Sequence, residues 1–168
     1  MPDSVLVTYG TTNGSTARIA EAIADVLRKD GLTAEVRPAQ TVASVASYDA
    51  VVVGGGLYAG RWQKHARRFV RHRRALTGRP LWMFSSGPLD ASASERDIPP
   101  VPGVRRAMTR LDAKEHITFG GCLEDGVKGF FARKLVSSGK GGDFRDFEQI
   151  EAWAAGIGAE LVGEPGKR

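Results

Sequence analysis

The stretch Val7–Ala20, VTYGTTNGSTARIA, decides how the chain is read. Before it, Ser4–Gly10 (SVLVTYG) is a short apolar, β-branched run, the signature of a buried strand. After it, Ile19, Ala20, Ile23, Val26 and Leu27 recur at spacings of three and four, which predicts a helix over Thr16–Lys29 closed by Gly31. Between lie Gly10, Thr11, Thr12, Asn13, Gly14, Ser15 and Thr16. Glycines let a backbone turn tightly and approach an anion closely. Loop amides and a helix start direct positive dipole toward it. Walker A loops carry a lysine and a longer glycine spacing than Gly10 to Gly14, so a magnesium triphosphate is not expected. One terminal phosphate held by neutral donors fits better.

The same alternation continues downstream. TAEVRP predicts a second strand at a sheet edge, because it alternates and runs into Pro38. TVASVAS predicts a helical turn, and YDAVVVGGG a third strand. LYAGRWQ is a loop, Lys64–Leu76 a helix with Ala66, Phe69, Val70 and Leu76 inward, and RPLWMFSSG a fourth strand. A long loop, PLDASASERDIPPVPG, leads to a short helix Val104–Leu111 and a fifth strand, HITFGGCL. VKGFFARKLVSS predicts an extra helix, KGGDFR a flexible connection, and Phe147–Leu161 a last helix facing inward through Ile150, Trp153, Ala154, Ile157 and Leu161. Apolar strands alternating with helices imply a parallel sheet covered on both faces. The expectation is one α/β domain over 1–163, doubly wound, five-stranded in the order 2-1-3-4-5, with 164–168 a flexible tail.

Ligands of such sheets bind at the carboxyl ends of the strands, near the reversal of strand order. Three loops therefore matter. The first is the hydroxyl-rich one. The second, Gly54–Trp62, admits a forced G-x-G-x-x-A over Gly54, Gly56 and Ala59, but it does not open a helix after the first strand. Its Tyr58 and Trp62 suit either a flat ring stacked on a mobile loop or plain capping of the core. The third, Ser85–Asp90, brings small residues and hydroxyls to the same edge.

These segments resemble the flavodoxin-like family that binds flavin mononucleotide (FMN). YGTTNGSTARIAEAIADVL is similar to its lysine-free phosphate loop. YGTTNGSTARIA, GGGLYAGRWQKHARRFV and GGDFRDFEQIEAWA together resemble the menaquinone-dependent protoporphyrinogen oxidase branch. The resemblance implies that Thr11, Thr12, Asn13, Gly14, Ser15 and Thr16 hold the phosphate. It implies that Gly56, Leu57, Tyr58, Ala59, Gly60 and Arg61 cover one side of the isoalloxazine, and that Ser86, Gly87, Pro88, Leu89 and Asp90 contact the other. The implied activity is an FMN-dependent oxidoreductase moving electrons from an organic donor, such as protoporphyrinogen, to a quinone-like acceptor. The alternatives are a non-enzymatic electron carrier and a domain that has lost the cofactor. Electron-carrier flavodoxins are acidic around the flavin, whereas here Arg61 and a basic helix follow the loop. A cation within about 6 Å favours the anionic reduced ring, so Arg61 is expected to raise the potential. Asp90 and Asp125 occupy loops suited to proton transfer, although a flavin exchanges protons with solvent unaided.

Charge and composition bound the partners. The chain has 168 residues, a net charge of +5 and a sequence pI near 9.7. Arg61–Arg79 holds eight Lys or Arg, two His and no carboxylate. This suits a solvated helix face, an acidic redox partner or an anionic membrane surface, to which Lys128, Phe130, Phe131, Arg133, Lys134, Leu135 and Val136 would add. No nucleic-acid motif accompanies it, so nucleic acid is not an expected partner. His65, His72 and His116 lack ligand spacing, so no metal is expected. The single Cys122 reads as a small core residue and agrees with a reducing cytoplasm. The first residues lack the pattern of a signal peptide, and no apolar stretch has membrane-spanning length.

Overall fold

The computed structural model describes residues 3–12, 14–71, 74–88, 91–123 and 142–163. Its elements in chain order are β1 (Ser4–Gly10), α1 (Ser15–Lys29), β2 (Thr33–Pro38), β3 (Ala50–Tyr58), β4 (Arg61–Trp62) and α2 (Lys64–Arg71). There follow β5 (Leu81–Ser86), α3 (Ser92–Glu95), α4 (Pro102–Leu111), β6 (Glu115–Phe119), β7 (Cys122–Leu123), β8 (Gly142–Asp143) and α5 (Phe147–Val162). The fold is α/β and flavodoxin-like. Five strands run parallel in the order β2-β1-β3-β5-β6, the expected doubly wound arrangement, with β2 at one edge.

Both faces of each inner strand are buried, which explains the unbroken apolar runs. Val5, Val7, Val52, Trp82 and Phe84 face α1 and α5. Leu6, Val51, Val53, Leu81 and Met83 face α2 and α4. Helix α1 seats Ile19, Ile23 and Leu27 at zero exposure, each contributing about 1.5–3 kcal/mol by burial. Val26 is only partly buried, and Ala24 takes its place inside. Helix α5 starts at Asp146, whose carboxylate accepts the Gln149 amide, relieving one of the helix's unpaired donors.

Several expectations shift. Arg61–Trp62 is not loop: it folds back antiparallel on the end of β3, with Leu57 opposite Trp62 and Tyr58 opposite Arg61. The two-residue turn between them has positive φ at both Ala59 (52°) and Gly60 (75°), the backbone that matches the twist of a tight hairpin. The helical turn predicted over TVASVAS lies upstream, as a 3-10 turn at Ala39–Thr41. The helix predicted over Lys64–Leu76 runs to Arg71, with a separate 3-10 turn at Arg74–Leu76. The long loop contains the short helix α3. The predicted fifth strand divides: β6 stays in the sheet, while Cys122–Leu123 pairs with Gly142–Asp143, part of the segment expected as a flexible connection. Gly120 permits that break, because a Cβ there would lie 2.0 Å from the Phe144 carbonyl oxygen. The extra helix predicted at 127–138 and the tail 164–168 lie outside the described residues. No helix among the described residues is long and apolar enough to cross a membrane.

Candidate functional site

The reversal of strand order falls between β1 and β3, so the carboxyl ends of β1, β3 and β5 share one edge. The register places Gly10 beside Gly55, and Gly56 beside Ser86. Leu57 packs against Gly87, where an added Cβ would lie 2.7 Å from the leucine Cβ. The three predicted loops therefore meet. Asn13, Leu89 and Asp90 lie outside the described residues, as do Asp125 and His72.

The first loop is set up for an anion. Gly14 adopts φ 86° as the N-cap of α1, and Thr11 Oγ1 accepts its amide at 3.1 Å. Among the described residues no side chain caps the helix, and its first turn holds no acid. The dipole end of a 15-residue helix is thus unneutralised. Thr16 is fully buried, yet its Oγ1 has no partner among the described residues. An unpaired buried hydroxyl is unfavourable by roughly 1–3 kcal/mol, so this one marks a place where a ligand acceptor completes the structure. Ser86, 4% exposed, has a second unpaired Oγ on the far loop.

Gly56 separates the two halves. A Cβ here would come within 2.9 Å of Tyr58 Cε2 and 3.2 Å of Thr16 Oγ1. The glycine keeps open the cradle between ring and hydroxyl. Tyr58 is 36% exposed, and its hydroxyl accepts the Thr12 amide at 3.1 Å. The aromatic ring and the phosphate-type loop are therefore within one side-chain length of each other. Its neighbours Gly54 and Gly55 have a different reason to be glycine. Added Cβ atoms would meet the Phe84 ring at 2.0 Å and Trp62 at 2.5 Å. The forced G-x-G-x-x-A pattern is therefore packing against aromatic rings, not a dinucleotide fingerprint.

Trp62 does not offer a stacking surface. It is 2% exposed, and its Nε1 donates to Ser85 Oγ at 2.8 Å. Of its two readings, capping of the core holds. The Ser85 hydroxyl also lies 2.8 Å from His116 Nε2. Burial pushes the His116 pKa down to about 4, against the opposing charge of Asp97, so the ring is neutral at pH 7. The third loop is pinned from outside: Gly87 donates to the Phe119 carbonyl, and Gly121 donates to that of Pro88. Cys122 is half-buried in β7 and not in the core.

One residue near the loop escaped the sequence reading. Arg145 forks onto Asp143 at 2.7 Å and 2.8 Å and donates to the Ser15 carbonyl at 3.4 Å. It ties β8 to the first turn of α1, and its hydrogen bonds hold the Asp143 carboxyl below the usual range. In the sequence it stood in what looked like a flexible connection. No spacing signal distinguishes it from any other surface arginine.

A model of the flavodoxin domain family matches residues 6–140, and the chain belongs to that family. No curated protein sequence matches it. Among solved structures it is similar to a cysteine-to-serine mutant of a Pseudomonas aeruginosa flavodoxin, at 18% identity and a TM-score of 0.65, covering 95% of this chain and 99% of that one. A Streptococcus pneumoniae flavodoxin aligns at 17% identity and a TM-score of 0.62, covering 96% and 99%. The rubredoxin oxygen:oxidoreductase of Desulfovibrio gigas aligns at 14% identity and a TM-score of 0.64, over 95% of this chain. The chain spans only 36% of that longer protein. At these identities the likeness establishes the fold.

Proposed function

We propose that the protein binds FMN across the ends of β1, β3 and β5 and is an FMN-dependent oxidoreductase. The observation that carries this is the buried, unpaired Thr16 hydroxyl at the uncapped start of α1, in a loop without lysine. It suits one phosphate held by neutral donors better than a triphosphate. Thr11, Thr12, Gly14, Ser15 and Thr16 line the place for that phosphate; the Thr12 and Gly14 amides, donated within the chain to Tyr58 and Thr11, would turn to it on binding. The Gly56–Arg61 hairpin covers one side of the ring, and Ser86–Pro88 contact the other.

Bound FMN would supply two-electron redox chemistry between an organic donor, which gives up two electrons and two protons, and a quinone-like acceptor, which takes up the same number to become the quinol. The protein's part is binding, orientation and field. Tyr58 would shield a ring face, and the Ser86 hydroxyl and loop amides would meet its polar edge. Arg61, exposed at the hairpin, adds positive charge on that side. The porphyrinogen-type donor and the quinone acceptor rest on the resemblance of the segments 9–20, 54–70 and 141–154. The test is anaerobic photoreduction of the FMN-loaded protein followed by mixing with menaquinone. Reoxidation in step with quinol formation supports the enzyme reading; a reduced protein that ignores quinones and reacts only with a redox protein overturns it.

A further inference from the structure

A cavity of about 390 Å³ lies on the α2–α4 side of the hairpin, beside Gly60 and Arg61. Among the described residues its walls include Arg61, Arg67, Arg71, Arg106 and Arg110, and no carboxylate. Among the described residues none of the five pairs with an acid. Arg110 donates to the Val70 carbonyl at 3.0 Å, while the Nε of Arg67 is sealed from solvent without an acceptor. Helix α4 points its start into the same cavity: Val101, Pro102, Gly103 and Val104 line it. That start has no side-chain cap and no acid in its first turn.

Five guanidinium groups around one concavity repel one another, and concave walls concentrate the field they make. An unpaired buried donor adds to the deficit. An anion of matching shape offsets both the repulsion and the uncapped start of α4. Guanidinium forks bind carboxylates bidentately, and several forks on opposite walls favour several carboxylates on one molecule. The volume falls in the range of small-molecule sites. We infer that this cavity is the anchoring site of a small substrate carrying two or more carboxylates. Held there, the substrate would lie beside the hairpin tip proposed to cover the flavin ring; this role rests on the FMN reading, while the anion site itself does not.

Calorimetry on the full chain tests it, with citrate, acetate and inorganic phosphate as probes at constant ionic strength. Citrate is expected to bind saturably, one to one, at least tenfold tighter than either of the others. Arg71→Ala and Arg106→Ala are each expected to weaken citrate at least tenfold. Arg105→Ala removes the same charge from α4 outside the cavity and should change it less than threefold. Thermal melts confirm that each variant is folded. Citrate no tighter than phosphate, equal losses in Arg105→Ala and Arg106→Ala, or binding of an acidic protein without any of citrate overturns the inference. An FMN titration on the same samples reads the flavin proposal separately: citrate binding without FMN binding overturns that proposal alone.

Discussion

Trp62 and Ser85, 23 residues apart in sequence, are joined by one buried hydrogen bond in which the indole N–H donates to the hydroxyl at 2.8 Å. The bond fastens the hairpin of the second loop to the strand that feeds the third. The same hydroxyl lies 2.8 Å from His116 Nε2, a hydrogen bond whose direction follows the imidazole tautomer. His116 titrates near pH 4 in the folded chain, against an ordinary value of 6.5. Between these values the unfolded chain holds a proton that the folded chain lacks. Stability is therefore full above about pH 6.5 and declines as pH falls toward 4, by on the order of 3 kcal/mol. Urea midpoints at pH 7 and pH 4.5 should show this decline in the wild type and a smaller one in His116→Gln. Equal declines would remove His116 from the account.

Gly54 and Gly56 should fail differently. Alanine at Gly54 drives its Cβ to 2.0 Å from the Phe84 ring, deep in the core, and should destabilise by about 3 kcal/mol or more. Alanine at Gly56 meets the movable Tyr58 ring at 2.9 Å. It should reduce stability by less than about 1 kcal/mol yet weaken FMN at least tenfold. Thermal melts and flavin titration together separate the two.

Thr16→Val removes a hydroxyl that has no partner among the described residues. Without ligand the variant should be as stable as the wild type or slightly more so, because an unpaired polar group is lost. With FMN it should bind about tenfold more weakly. A variant that loses stability without ligand would show instead that the hydroxyl has a structural partner.

Arg61 stands exposed on the hairpin, so its effect on the ring is that of a screened surface charge. Interactions of this kind are worth about 0.2–1 kcal/mol. Arg61→Ala should lower the midpoint potential of the bound flavin by roughly 5–20 mV for a two-electron couple. Spectroelectrochemistry at low salt reads this, and an unchanged potential would mean the guanidinium does not act on the ring.

The main strands and α1 were legible because their signals are local. Val5–Val7, Val51–Val53 and Leu81–Phe84 are apolar on both faces, and Ile19, Ile23 and Leu27 mark one helical stripe. The lysine-free loop could be read as an anion site for the same reason: all its parts are consecutive. The fate of Trp62 was not local. It depends on a two-residue strand and on Ser85 across the sheet edge, neither of which leaves a periodic trace. The arginine cavity was half visible, as a basic run through α2. Its other wall, Arg106 and Arg110, sits in a segment with no motif and arrives only through the packing of α4.

The central claim is that a loop without lysine holds the phosphate of FMN. Flavin fluorescence titrations of the purified chain with FMN and with riboflavin, which differ only in that phosphate, test it most directly. Two charge-assisted hydrogen bonds from the loop are worth about 3 kcal/mol, so FMN should bind roughly 100-fold tighter, one to one. Equal affinities, or no quenching by either, would contradict the account.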